Sequence, residues 1–224
     1  MVVLYGLKTS RAFRSIWLAE EIGLDYEIQS VDLFESEHKQ PDFLAINPLG
    51  QVPAMADGDF SMGESLAINL YIADRYGDAL AAQTPEESGM IYQWTLWVAT
   101  SVEPLLMPII HNRIIMPSDQ RDEAAVAAAI DRLAVPLSVL DGIIGDREFL
   151  LGDRFTVADL NVASVLSMLK IAQIDTEHFG HNVSSWLNRC LSRPACDYEM
   201  QRTEVTPEML ARLMARQEGA QQSS

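Results

Sequence analysis

Four short stretches hold side chains able to bind a small polar ligand. Glu64-Ser65 opens a segment with helical spacing of apolar residues that runs to about Tyr76. The first N–H groups of such a helix have no partner within it and carry the positive end of its dipole. They therefore accept a carboxylate, and the Ser65 hydroxyl adds another donor. Capping uses the same geometry, so Ser65 can serve the helix and a ligand together. His38 and Lys39, in "ESEHKQPDF", place two basic-capable groups side by side, a reasonable second anion site. Gln51 offers an amide for a ligand's backbone. Next to it stands Val52-Pro53, in a stretch that otherwise reads as two short strands joined by an Asp-Gly turn. A proline there donates no ladder hydrogen bond, so Pro53 belongs at an edge or a break.

The balance of charge makes local anion sites necessary. The 224 residues include 32 acidic and 16 basic side chains, a formal net charge of −16. Such a surface repels nucleic acid and anionic membrane, which are held through Lys and Arg contacts to phosphate. Hydrophobic residues make up 48% and charged residues 21%, as in an ordinary globular protein. No apolar run approaches the ~18 residues of a membrane span, and the N-terminus "MVVLYGLKTSR" lacks the layout of a secretory signal. A cytoplasmic protein is the expectation. Cys190 and Cys196 form neither a CxxC pair nor a His/Cys ligand cluster. No metal site or disulfide framework is expected, and the two thiols read as structural.

The elements that must position these residues fall into two groups. Over the first 78 residues strand-like and helix-like segments alternate: strand 2–6, helix 10–23 with Ser10 as N-cap and Gly23 as stop, strand 25–33, helix 41–47 beginning with a proline, the two strands around the Asp-Gly turn, then the helix from Glu64. The order is β-α-β-α-β-β-α. A right-handed crossover makes strands one and two parallel, and the turn makes the last two antiparallel. Beyond about residue 86 every segment reads as helix: 87–116, with Pro104 and Pro108 expected to bend it, then 118–145 with a Ser or Asp cap, 156–172, 182–192 and 207–217. Thr156-x-x-Asp159 resembles a capping box with Asp in place of Glu, a folding element rather than a chemical one. The expected organisation is an α/β domain over 1–78, a linker over 79–86 and an all-α domain over 87–224.

Together, "LKTSRAFRSIWLAEEIGLDYE", "EHKQPDFLAINPLGQVPAM", "MGESLAINLYIADRYG" and "LLGDRFTVADL" resemble the cytosolic glutathione transferase family along the whole chain. The resemblance implies a thioredoxin-like N-terminal domain followed by a helical domain, with glutathione as co-substrate and no metal. Pro53 then resembles the cis-proline of thioredoxin-like folds, leaving the Val52 N–H and C=O facing outward to pair with a peptide-like ligand. By the same resemblance Ser65 and its helix bind the γ-glutamyl carboxylate and Glu64 the amine. His38 and Lys39 match positions that often contact the glycyl carboxylate, and Gln51 holds the ligand backbone. For the hydroxyl that stabilises the thiolate, two alignments compete. Counting back from Arg14, as in plant serine-type classes, selects Thr9, whereas aligning the helix as in bacterial cysteine-type members selects Ser10. Tyr5 sits within the first strand and reads as core or site wall. The electrophile would lie between the domains against the long helix, where Trp97, Met107, His111 and Arg113 are spaced to reach one face and Arg113 would favour an anionic electrophile. The resemblance implies conjugation of glutathione to small hydrophobic electrophiles by a homodimer. A glutathione-dependent isomerase, dehalogenase or peroxidase on the same fold is the enzymatic alternative, and a non-catalytic glutathione-binding scaffold the third.

Overall fold

Val2 and Leu4 point to one face of the first strand and Tyr5 to the other, and this alternation sets the frame of the α/β part. In the computed structural model, which describes residues 1–201, four strands form one sheet. They are β1 (Val2–Tyr5), β2 (Tyr26–Gln29), β3 (Ala54–Asp57) and β4 (Phe60–Gly63), in the order β2-β1-β3-β4. β1 and β2 are parallel, while β1/β3 and β3/β4 are antiparallel, with Tyr5 opposite both Gln29 and Ala54. Val2, Leu4 and Met55 face α1 (Phe13–Ile22) and α3 (Ser65–Tyr76); Val31, Phe43 and Ala54 face the other way, toward α2 (Pro41–Ile46).

The second strand ends four residues before the alternating pattern does, because Asp32 turns the chain. Its Oδ1 accepts from Phe34 N at 2.7 Å and Glu35 N at 3.2 Å, offering the backbone an alternative to the ladder. The first helix begins later than expected. Residues 7–12 are consecutive turns, and α1 starts at Phe13 with Ala12, not Ser10, at its N-cap. Ser10 is instead consumed inside the turn: its hydroxyl donates to Leu7 O at 2.6 Å and accepts from Ala12 N at 3.2 Å.

After α3, a short helical turn at Asp78–Leu80 leads to α4 (Pro85–Trp97). The expected long helix 87–116 is broken into α4 and α5 (Glu103–Ile110), with wide five-residue turns of π-type at Val98–Val102 and His111–Ile115. Pro104 falls in the first turn of α5, where its missing N–H costs nothing, while Pro108 is interior to it. α6 (Glu123–Ile144) is capped by Asp122, whose side chain accepts from Ala125 N at 2.9 Å. α7 (Val157–Ile171) and α8 (His181–Leu191) complete the described helices. The helix expected over 207–217 lies outside the described residues. No described helix is long and apolar enough to cross a membrane.

One apolar core runs from the sheet into the helical part. The Trp17 and Phe155 rings lie 6.2 Å apart, and the Arg193 guanidinium sits 4.0 Å over Phe155 while its Nε donates to Glu21 at 2.9 Å. A buried polar chain joins the same two parts. Asn69 Nδ2 donates to Asn161 Oδ1 at 2.8 Å and Asn161 Nδ2 to Thr95 Oγ1 at 3.1 Å. The capping box at Thr156 and Asp159 is present at the start of α7.

Candidate functional site

A cavity of about 730 Å³ opens between the α/β part and helices α4 and α5. Its α/β wall is built from the ends of several elements. The Val52–Pro53 peptide is cis, and neither the N–H nor the C=O of Val52 is paired among the described residues. The loop before it is held from two sides. Asn47 Nδ2 donates to Gln51 O at 2.8 Å, and Lys39 Nζ donates to Gly50 O at 2.6 Å. Gln51, Val52 and Pro53 thereby reach the cavity wall. Gly50 has φ +58°, and a Cβ there would stand 2.8 Å from Lys39 Nζ and 3.0 Å from His38 O. Gly50→Ala is therefore expected to cost about 1–3 kcal/mol, read from the denaturant midpoint; an unchanged midpoint would show that the loop relaxes freely.

Ser65 is buried at the first position of α3, and with Leu66 and Ala67 it lines the cavity; the N–H groups of this first turn have no partner within the helix. Glu64 precedes it with φ +66°, a conformation uncommon for a residue with a side chain, and stands on the cavity wall. His38 is buried within the helical turn Glu37–Lys39; neither it nor Lys39 lines the cavity, though Lys39 is exposed.

Facing this wall is a cluster that the sequence did not single out. Arg14, its side chain 5% exposed, donates to Glu103 Oε1 at 3.0 Å, to Glu103 Oε2 at 3.2 Å and to Ser65 Oγ at 3.3 Å. Arg11 Nε donates to the same Glu103 Oε1 at 2.8 Å. Burial opposes the charged form of Glu103, but the two guanidiniums outweigh it and hold its pKa below the ordinary glutamate value. Burial also draws Arg14 below the usual arginine value, against the pull of Glu103. Since the folded-state pKa of Glu103 is depressed, its contribution to stability is complete above the unfolded value and is lost as pH falls through the folded one. Glu103→Gln should start less stable at neutral pH, with a buried guanidinium left short of a carboxylate, and lose less on acidification. Thermal melts in acid compare the two; parallel losses would place the acid sensitivity elsewhere.

The two candidate hydroxyls differ. Ser10 has its one proton committed to Leu7 O. Thr9 is exposed, and its hydroxyl has no hydrogen-bond partner among the described residues. Neither lines the cavity, though Arg11 of the same turn does; a Cβ on Gly6, which has φ +144°, would stand 3.4 Å from Ser10 Oγ and 3.8 Å from Val52 Cβ. Tyr5 packs edge-on against Phe43, away from this side.

On the helical wall, Thr95, Leu96, Ala99, Pro104 and Met107 face the cavity. Of the four residues assigned to the electrophile from sequence, the structure brings Met107 there and not the others. Trp97 packs at right angles against Trp94, with ring centroids 5.3 Å apart. His111 sits half-buried in the second π-type turn, and Arg113 pairs with Glu123 at 2.6 Å. A pair of arginines three residues apart in so acidic a chain was the available signal for Arg11 and Arg14. Nothing in the sequence linked them to Glu103, which lies 89 positions beyond Arg14. Burial pushes the Cys196 thiol up to about 12 and Cys190 well above its usual value, which favours the protonated thiol at both. No group of His, Cys, Asp or Glu among the described residues is arranged to hold a metal ion.

Comparison with known proteins matches both parts of this architecture. Residues 1–74 fit the family model of the glutathione S-transferase N-terminal domain, and residues 102–194 that of the C-terminal domain. The chain is 32% identical to glutathione S-transferase F10 of Arabidopsis thaliana over 87% of this chain and 94% of that protein. It is 34% identical to glutathione S-transferase 3 of Zea mays, over 86% and 90%. Among solved structures, maize glutathione S-transferase I in complex with an atrazine glutathione conjugate superposes with a TM-score of 0.81 at 30% identity, covering 91% of this chain and 99% of that one. The theta class enzyme of Xanthomonas axonopodis pv. citri, solved with glutathione bound, gives 0.80 at 28% identity over 92% and 99%. With both halves of the chain matched in order and relatives aligned over nearly its full length, the protein belongs to the glutathione S-transferase family.

Proposed function

We propose that the protein is a glutathione transferase whose cavity holds glutathione along the α/β wall and a second, electrophilic substrate against α4 and α5. The observation that carries this is the unpaired backbone of Val52 beside the open first turn of α3. A γ-glutamyl peptide pairs with Val52 as one more short strand, its α-carboxylate meets the α3 N–H groups and Ser65, and its amine meets Glu64. Gln51 takes the peptide backbone; Lys39 and His38 are kept for the glycyl carboxylate on the family resemblance alone, since neither lines the cavity and Lys39 Nζ donates to Gly50 O.

The thiol then lies toward the 7–12 turn, and Thr9 supplies the hydroxyl that stabilises its thiolate. Ser10 is the weaker candidate because donating to sulfur would require breaking its bond to Leu7. A thiol of pKa near 8.5 is only about 3% ionised at pH 7. Lowering that value by two units raises the fraction to roughly 75% and needs about 2.7 kcal/mol. A hydroxyl hydrogen bond to a charged acceptor contributes roughly 1.5–3 kcal/mol, and the positive end of α1 several tenths more. The thiolate sulfur attacks the electrophilic carbon; a carbon–sulfur bond forms and the leaving group departs with its electron pair. The protein acts in the cytoplasm as a homodimer on this reading, and exposed Leu49, Met90 and Tyr92 offer apolar area for a second copy.

Calorimetric titration with glutathione, with the ultraviolet absorbance of the bound thiolate followed against pH, tests the proposal. Binding with a depressed thiol pKa is the expected result. Binding with an unshifted thiol would turn the reading to a carrier, and an absence of binding would overturn it.

A further inference from the structure

We propose that Arg11 gives the cavity a preference for second substrates that carry a carboxylate or a similar oxyanion on an apolar body; the inference rests on the transferase reading. Glu103 is already matched in charge by Arg14, which is buried and donates to both of its carboxylate oxygens. Arg11 adds a second guanidinium to that carboxylate, so one positive charge is left over. It resides on the more exposed partner, since the Arg11 side chain is 52% exposed against 5% for Arg14. The Arg11–Glu103 contact alone is worth little as an exposed ion pair.

The donors of Arg11 are largely unspent. Nη2 has the Met107 sulfur at 3.7 Å, a weak acceptor, and Nη1 has no acceptor among the described residues. Met107 lies against the guanidinium, and Leu96 and Pro104 line the same cavity, Leu96 63% and Met107 40% exposed. An apolar body against those side chains with an anionic head on Arg11 satisfies both parts. Glu64, the other carboxylate on the wall, precedes Ser65 and acts on the charge of the buried Arg14 rather than contacting Arg11; the amine of glutathione uses it on the transferase reading. The γ-glutamyl carboxylate has its own donors at the α3 terminus. The net charge of −16 opposes distant anions, but salt screens that field beyond about 8–10 Å, whereas contact with a guanidinium is local.

Two probes differing only in that charge test the assignment: a chlorodinitrobenzoate, with its chlorine flanked by the nitro groups, and the corresponding uncharged carboxamide. In both, the thiolate sulfur bonds to the chlorine-bearing ring carbon and chloride leaves with the bonding pair, with no net oxidation or reduction. The readout is the ratio of kcat/KM for the benzoate to that for the carboxamide. Arg11→Gln is expected to lower the ratio about tenfold, the low end for a charge-assisted hydrogen bond, and Arg11→Lys to restore part of it. A ratio within twofold of the parent value overturns the proposal, as does a joint fall of both values with a raised KM for glutathione, which would assign Arg11 to the peptide. Calorimetric affinities for the two glutathione conjugates give the same ratio without turnover, and equal affinities also overturn it. Binding of glutathione alone, measured alongside, separates these outcomes from failure of the transferase reading.

Discussion

In Thr9→Val, bound glutathione is expected to titrate with a thiol pKa about two units higher than in the parent protein, close to that of a free thiol. Valine keeps the shape of threonine and removes the hydroxyl, so the change isolates one hydrogen bond. Near neutral pH the ionised fraction then falls roughly 25-fold, and kcat/KM toward a neutral electrophile falls with it by about one order of magnitude or somewhat more. Glutathione affinity changes little, because Val52, Ser65 and Glu64 are untouched. Thr9→Ser should retain the shift. Ser10→Ala is the matched control with a different expected signature: the Ala12 N–H loses its partner and the Leu7 carbonyl keeps only the Ser10 N–H, at a cost of about 1 kcal/mol in stability, while the thiol pKa stays low. The absorbance titration of bound thiolate decides between them. A raised pKa in Ser10→Ala with none in Thr9→Val would exchange the two roles.

Replacing Asp159 by asparagine should lower the melting temperature by roughly 6–12 °C, corresponding to about 3 kcal/mol in a chain of this size. The substitution is conservative in shape and not in hydrogen bonding. Oδ1 accepts from Leu150 N at 2.8 Å and from Trp186 Nε1 at 3.0 Å, while Oδ2 accepts from Thr156 N at 3.0 Å and Thr156 Oγ1 at 3.1 Å. All four partners are donors. An asparagine can present one oxygen, so its amide nitrogen must face two N–H or O–H groups in a fully buried site. Burial alone drives the Asp159 pKa upward, and the four donors act against it. The loss is expected in stability and folding yield. Thiol pKa and KM for glutathione should match the parent in the folded fraction, because the side chain contacts neither Val52 nor Ser65. A melting temperature within about 2 °C of the parent would show that the network tolerates one mismatched donor.

Most of the local structure was legible in the chain. Strand alternation, helical spacing and the Asp-Gly turn depend on residues within a few positions of one another, and they fixed the β-α-β-α-β-β-α order and the antiparallel β3/β4 pair. The capping box of Thr156 and Asp159 was visible because both partners lie within one helical turn. The family was readable from four motifs of the same short range. The start of α1 was misread because a serine before a helical pattern resembles a cap, whereas here it closes a preceding turn.

Only the tertiary structure decided the far wall of the site. Trp97, Met107 and His111 share a face on a regular helix, but the π-type turn at Val98–Val102 inserts a residue between the first two and rotates the downstream helix by about 100°. Met107 reaches the cavity; Trp97 packs on Trp94 instead. The meeting of Arg11, Arg14 and Glu103 required two domains to close on each other across 89 and more positions of sequence. Hydrophobic periodicity specifies which face of each helix is buried, and it carries no information about which charged residue from another element will stand opposite.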